Sequence, residues 1–163
     1  MMEYQSGSTV VHKSHGLCLV RGLKKIGKKE YYEIVPLQGE KVIIYVPCKS
    51  ASLIFIDIMS ASEADELLRY MKSIDDTLDV MDKQKRDEYK RKIQEGDRYE
   101  IAFLARKLHF LKEDKESRNM ELGSQDQALF ERARNRLLDE FSLSYSVPRD
   151  QVENFIDGRI EKV

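Results

Sequence analysis

The sequence predicts an α+β protein in which a small antiparallel β-barrel is followed by an all-helical bundle of about five helices. Two observations predict this class. In residues 1–58, short apolar runs alternate with glycine, proline and polar turn residues, as in a small all-β domain. From residue 60 onward, apolar residues recur at intervals of three and four, which is the period of a helix. The change of period divides the chain of 163 residues into predicted domains 1–58 and 59–163.

Five short strands are predicted in the first domain. Each is a run of apolar, often β-branched residues that ends at a glycine, a proline or a polar turn. The predicted strands span residues 9–11, 17–20, 31–35, 42–46 and 53–58. Between the second and the third, the basic segment 24–29 contains Gly27 and is predicted to form a hairpin tip. Strands this short and this closely spaced favour a small antiparallel barrel.

The second domain opens with a helix capping box. Ser60 precedes Glu63 by three residues, and this spacing lets each side chain bond the other's backbone N–H group. The first helix is therefore predicted from Ser60 to about residue 72. Four more are predicted from apolar stripes and from glycine or proline boundaries. They cover residues 82–95, about 101–111, 124–141 and the segment after Pro148.

The net charge of −1 conceals an uneven distribution of charge along the chain. Residues 1–56 carry a balance of +4, residues 57–82 a balance of −6, and residues 83–163 a balance of +1. A uniformly basic nucleic-acid-binding protein is excluded by this pattern, whereas local basic faces are not.

The chain contains no run of about 18 apolar residues and no basic leader followed by an apolar stretch. We therefore expect a cytoplasmic protein with no membrane partner. Its two cysteines, Cys18 and Cys48, are too few for a disulfide framework and are expected to be reduced.

One set of residues has a spacing that suits a metal. His12, His15 and Cys18 form an H-x2-H-x2-C pattern, but residues three apart on a strand point to opposite faces unless the chain bends at Gly16. An alternative is a metal-dependent enzyme built on these three residues. The sequence places no general base beside them, which such an enzyme would need. Because the sequence shows no nucleophile motif and no phosphate-binding glycine loop, we expect no catalytic residues, no cofactor and no metal.

The second predicted helix carries a dense basic patch. Its six cations stand within ten residues, against the two acids Asp87 and Glu88. The cations are Lys83, Lys85, Arg86, Lys90, Arg91 and Lys92. Three neutralised phosphates would give a salt slope of only about −2.7, so binding to DNA by this helix alone is expected to be weak and non-specific. By itself, a helix with these charges is more often a solvated face than a DNA-binding one.

Two segments near opposite ends of the chain match motifs of a known family. Residues 7–11 read Gly-Ser-Thr-Val-Val and are followed by His15, Gly16 and a second apolar strand; residues 122–134 end in Ala133-Arg134. They resemble the G-D-x-V-V-Y-P-x-H-G opening and the L-S-x-G-E-K-x-M-L-x-x-A-R segment of CarD and CdnL proteins. The family's A-x-x-x-R-x-L helix is matched by Ala102, Arg106 and Leu108. The resemblance covers nearly the whole chain in the same order.

This resemblance implies a transcription regulator. In the family, a Tudor-like N-terminal module, shared with the transcription-repair coupling factor, binds the RNA polymerase β subunit edge to edge. We expect Tyr45, at a position where the family often has arginine, to lie in this interface. The basic hairpin tip is expected to contribute Lys24, Lys25, Lys28 and Lys29.

The helical domain of the family contacts promoter DNA at the upstream edge of the bubble, where a tryptophan wedge stabilises the open complex. This chain has no tryptophan, and the wedge position falls on Asp82, beside Met81. Met81 or Tyr89 is a candidate substitute. The residues expected to contact DNA are Lys83, Lys85, Arg86, Tyr89 and Lys90. The alternative is a polymerase-binding adaptor, or a repressor-like paralogue, that has lost the wedge activity. In either case we expect a monomer.

Overall fold

The structure is a computed structural model that describes residues 3–39 and 41–163. It consists of two compact units, one that ends at Ile58 and one that runs from Met59 to Val163. The first is a curled half-barrel sheet and the second is helical, so the predicted α+β class is confirmed.

Among the described residues of the first unit, four antiparallel strands form the sheet. They are β1 (Thr9–His12), β2 (Gly16–Ile26), β3 (Lys29–Pro36) and β4 (Ile44–Pro47), in the spatial order β1-β2-β3-β4. The predicted hairpin tip is confirmed, because Ile26 pairs with Lys29 across a two-residue turn. Gly27 has a φ of 63°, which a residue without a Cβ adopts readily.

The prediction of a fifth strand over residues 53–58 is wrong. A 3₁₀ turn (Cys48–Ser50) leads into a short helix, α1 (Ala51–Ile54), and Phe55 makes only an isolated bridge to His12. Ala51 and Phe55 fill the core of the half-barrel and are 1% and 3% exposed. A short apolar run can be buried either as a helical turn or as a strand. The sequence pattern of such a run therefore does not distinguish the two conformations.

Five helices form the second unit, as predicted. They are α2 (Ala61–Ser73), α3 (Lys83–Glu95), α4 (Arg98–Ser117), α5 (Ser124–Ser144) and α6 (Val152–Lys162). The capping box is confirmed, since the Ser60 side chain accepts from the Glu63 N–H and the Glu63 carboxylate accepts from the Ser60 N–H. Pro148 precedes α6 by four residues rather than lying in its first turn. The core lies where the apolar stripes of α4 and α5 meet, with α2, α3 and α6 packed around them.

Candidate functional site

The half-barrel has one uncovered edge among its described strands. The sheet order makes β1 and β4 the two edge strands. The outer side of β1 is covered, because the Ile56 N–H donates to Val11 O at 2.9 Å and the Lys13 N–H donates to Ile54 O at 3.0 Å. β4 pairs with β3 on one side only. An uncovered edge strand offers backbone groups to which another chain can add a strand.

Tyr45 stands on this uncovered edge strand, opposite Glu33 on β3. Its side chain is 37% exposed. The Tyr45 hydroxyl accepts a hydrogen bond from Lys24 Nζ and donates one to Glu33 Oε1, each at 3.4 Å. The Lys24 ammonium also lies 5.3 Å from the centroid of the Tyr45 ring. The predicted residues Tyr45 and Lys24 are therefore neighbours on one face.

The other predicted lysines of the hairpin tip are exposed and lie apart from Tyr45. The pairing of β1 with β2 reaches only Leu19, and the pairing of β4 with β3 reaches only Tyr31. At the tip, β2 and β3 therefore pair only with each other and form a two-stranded ribbon. Lys25 follows Lys24 and points to the opposite face of this ribbon. The tip is thus a basic projection with cations on both faces, and only Lys24 is joined to the tyrosine.

In the helical unit, α3 and α5 enclose a basic groove of about 440 Å³. The lining residues of each helix follow the spacing i, i+3, i+4 and i+7, which places them on one face. They are Lys83, Arg86, Asp87 and Lys90 on α3, and Gln125, Ala128, Leu129 and Arg132 on α5. We call this feature the α3–α5 groove. Arg132 is not predicted from the sequence, because nothing in the sequence shows which other helix lies beside α3.

The cations of α3 divide into paired and unpaired groups. Arg86 Nε donates to Asp126 Oδ1 at 2.7 Å, and Asp126 is 5% exposed. Lys85 lies 3.7 Å from Glu88 and does not line the groove. In the described part of the chain, Lys83, Lys90 and Arg132 make no ion pair. The groove therefore presents three unpaired cations, of which two were predicted from the sequence.

The expectation that Tyr89 faces DNA does not agree with the structure. Tyr89 is 2% exposed, and together with Ile93 it carries α3 into the helical core. Its hydroxyl donates a hydrogen bond of 2.6 Å to Asp79 Oδ2. Burial and the Asp79 carboxylate raise the pKa of this hydroxyl, so it stays protonated and remains a donor.

The loop before α3 places the remaining wedge candidates in two different environments. Met81 is partly buried against the helical core, and Asp82 caps α3 by accepting from the Lys85 N–H at 2.8 Å. Val80 is 82% exposed. The most exposed apolar side chain of this loop is therefore Val80, since Leu78 is 38% exposed. The sequence does not predict this, because burial of a loop residue leaves no periodic signal.

This loop is held in place at its other end by Lys107 of α4. Lys107 Nζ donates to Asp75 O, Asp75 Oδ1 and Thr77 O at 2.9, 2.9 and 2.8 Å. Its hydrogen bond lowers the pKa of Asp75 to about 2. With the Tyr89 contact at Asp79, both ends of the segment 75–79 are attached to helices.

Of the three residues with metal-like spacing, the structure brings His12 and His15 together but not Cys18. His12 Nδ1 accepts from the N–H groups of Ser14 and His15 at 2.9 and 3.3 Å, and the two imidazole rings lie 4.7 Å apart. Cys18 is buried in the half-barrel core. Across residues 3–39 and 41–163, no three His, Cys, Asp or Glu side chains are arranged to hold a metal ion.

Among the described helices, none is both long enough and apolar enough to cross a membrane.

The fold and these surfaces define a two-part binding protein, with a free strand edge in one unit and a basic groove in the other. Residues 4–58 match the family model of the CarD-like/TRCF RID domain, and residues 66–157 match that of the CarD C-terminal domain. The chain belongs to the CarD-like family, whose members are non-enzymatic, transcription-associated proteins that interact with RNA polymerase. A search of curated proteins found no match.

Proposed function

We propose that this protein is a transcription regulator that binds the RNA polymerase β subunit and contacts promoter DNA at the upstream edge of the bubble, modulating open-complex stability. It acts as a monomer in the cytoplasm and is held at the nucleoid by the polymerase. The observation that carries the proposal is the α3–α5 groove, where Lys83 and Lys90 of one helix and Arg132 of another form no ion pair among the described residues, although Asp87 also lines the groove.

The uncovered β4 edge supports the polymerase contact. Strand addition supplies backbone hydrogen bonds, and side chains on the same face supply specificity. Tyr45 is half-exposed and is held by Lys24 and Glu33, so little side-chain entropy is lost when it is buried by a partner. The exposed tip lysines add electrostatic attraction, which raises the association rate more than the affinity.

The unpaired cations of the groove support a weak DNA contact. Three phosphate contacts give a salt slope of about −2.7, too small for tight binding in isolation at physiological salt. Attachment to the polymerase raises the local concentration of the helical domain to about the millimolar range, at which a weak contact is populated. The regulator therefore needs its polymerase contact in order to act on DNA.

Val80 supports an apolar contact at the bubble edge, next to the groove cation Lys83. A valine side chain covers less of a base than an indole, so we expect a smaller stabilisation of the open complex than a tryptophan would give. The alternative function, a polymerase-binding adaptor without wedge activity, is favoured by one observation. Asp82, at the family's wedge position, is engaged as the N-cap of α3.

The polymerase contact is tested by calorimetry with a purified fragment of the RNA polymerase β subunit that contains its lobe. We expect binding by the wild-type protein and weaker binding by Tyr45→Ala. Phe155→Ala, which removes a 38% exposed aromatic side chain from α6 of the other unit, is the control for loss of an aromatic side chain. Absence of binding by the wild-type protein would contradict the proposal.

The DNA contact is tested by the lifetime of promoter open complexes with intact polymerase. Arg132→Gln removes a groove cation, whereas Arg91→Gln removes an exposed cation of α3 that does not line the groove. We expect a shorter lifetime with Arg132→Gln alone. If both variants bind polymerase and behave like the wild-type protein, the adaptor function is supported instead.

A further inference from the structure

A small aromatic pocket lies between α2 and α4 of the helical unit. Tyr70 of α2 and Tyr99 of α4 meet edge to face with ring centroids 5.1 Å apart, and Phe103 follows Tyr99 by one helical turn. Tyr99 and Phe103 are 40% and 36% exposed. These rings line a cavity of about 180 Å³ together with Lys92, Asp97, Glu100 and Leu104. It shares no lining residue with the α3–α5 groove.

Of the two carboxylates that line the pocket, Asp97 is engaged by a backbone N–H group, whereas Glu100 is engaged by none that the structure describes. Asp97 Oδ1 accepts from the Glu100 N–H at 2.9 Å as the cap of α4, and Lys92 Nζ is 3.1 Å from Glu88. In residues 3–39 and 41–163, no side chain donates to the Glu100 carboxylate or forms an ion pair with it. A free carboxylate beside exposed aromatic faces attracts a cation. Phe103 already makes such a contact, since Lys107 Nζ lies 5.6 Å from the centroid of its ring.

The size of the pocket indicates what kind of cation it takes. Its volume of about 180 Å³ is below the range of about 300–1,000 Å³ that is typical of sites enclosing a whole small molecule. It suits a single side chain, delivered as part of a larger surface. Arginine fits this chemistry better than lysine, because a planar guanidinium stacks on an aromatic ring and bonds a carboxylate through two N–H groups at once.

We propose that Tyr70, Tyr99, Phe103 and Glu100 form a receptor for an arginine side chain of a partner protein. Glu100 supplies the ion pair, and the rings of Tyr99 and Phe103 supply the stacking faces. The proposal is independent of the β4 edge and of the α3–α5 groove, so it can fail while the proposed function stands.

The test uses the full chain and nuclear magnetic resonance of its tyrosine and phenylalanine ring signals. Three probes are titrated: acetyl-Gly-Arg-Gly-amide, the same peptide with lysine, and the same peptide with citrulline, a neutral analogue of arginine. Glu100→Gln and Phe103→Leu alter the pocket. Glu116→Gln, on the same helix, and Phe155→Leu, which replaces a phenylalanine 38% exposed on α6, are matched controls outside it.

We expect the arginine peptide to shift the Tyr99 and Phe103 signals, with a weaker effect of the lysine peptide and none of the citrulline peptide. Glu100→Gln should weaken binding by about fivefold, the upper end for an exposed ion pair. The control variants should bind like the wild-type protein. Equal shifts from the arginine and citrulline peptides, equal loss in the control variants, or no shift of the pocket signals would each overturn the proposal.

Discussion

The hydroxyl of Tyr89 donates a hydrogen bond of 2.6 Å to Asp79 Oδ2, which joins the middle of α3 to the loop that precedes it. Because Tyr89 is 2% exposed, its ring packs in the core and its hydroxyl fixes the loop. The residue after Asp79 is Val80, which is 82% exposed. The contact therefore holds an apolar side chain at a fixed place beside the first turn of α3.

Replacing Tyr89 with phenylalanine tests this structural role. The variant Tyr89→Phe keeps the buried ring and removes the hydrogen bond to a carboxylate, so we expect the free energy of unfolding to fall by about 1–2 kcal/mol. Affinity for duplex DNA should not change, because the ring is not on the surface. Urea unfolding and DNA binding at low salt measure the two quantities. Lower DNA affinity with unchanged stability would show that the ring reaches DNA.

The sequence predicts those parts of the fold that local patterns determine. The capping box at Ser60 and the turn at Gly27 depend on residues within three or four positions of each other, and both are confirmed. Residues 53–58 were assigned wrongly because their conformation depends on the half-barrel core that Phe55 fills. A short apolar run indicates that the segment is buried, but it does not indicate whether the backbone is helical or extended.

The candidate DNA site was only partly predictable for the same reason. The cations Lys83 and Lys90 are visible in the sequence as a charge cluster, but their neighbour Arg132 is brought to them by packing of α3 on α5. Tyr89 was misassigned because charged residues dominate α3 and conceal the turn that enters the core. The exposure of a side chain depends on how its helix packs in the folded protein, and the sequence of that helix alone does not show this packing.

Two neighbouring cations of α3 should respond differently to removal of their charge. Arg86 is paired with the buried Asp126, so Arg86→Gln leaves a carboxylate without its partner and should lower the melting temperature. Lys90 lines the groove without an ion pair, so Lys90→Gln should leave the melting temperature unchanged. It should reduce the salt slope of DNA binding by about 0.9, the value for one phosphate contact. A lower melting temperature for Lys90→Gln together with an unchanged one for Arg86→Gln would contradict the division into paired and unpaired cations.

An ion pair between α2 and α6 should make stability depend on acidity. Asp65 Oδ1 accepts from Arg159 Nε at 2.9 Å and from the Tyr145 hydroxyl at 2.6 Å, and these hydrogen bonds lower the pKa of Asp65 to about 2. A carboxyl group whose pKa is lower in the folded state stabilises that state above its unfolded pKa of about 3.9. This stabilisation is lost as the pH falls through about 2.

We therefore expect Asp65→Asn to be less stable than the wild-type protein at pH 6, and the difference to shrink between pH 4 and pH 2. Chemical unfolding at several pH values measures it. The control Asp150→Asn replaces an exposed aspartate and should leave the pH profile unchanged. A difference between wild-type and Asp65→Asn protein that stays constant down to pH 2 would show that the Asp65 carboxylate is not stabilised by these contacts.

The exposed position of Val80 makes it the better place to introduce an aromatic wedge. Asp82 occupies the family's wedge position, but Asp82→Trp removes the side chain that caps α3, at a cost of about 1 kcal/mol. Val80→Trp leaves that cap and the Asp79 contact intact. Stacking of an aromatic side chain on a base contributes about 1–3 kcal/mol, so the open-complex lifetime should rise about 5- to 150-fold in Val80→Trp. Val80→Asp places a carboxylate near the phosphates and should shorten it. If both variants bind polymerase like the wild-type protein and leave the lifetime unchanged, Val80 does not reach the bubble edge.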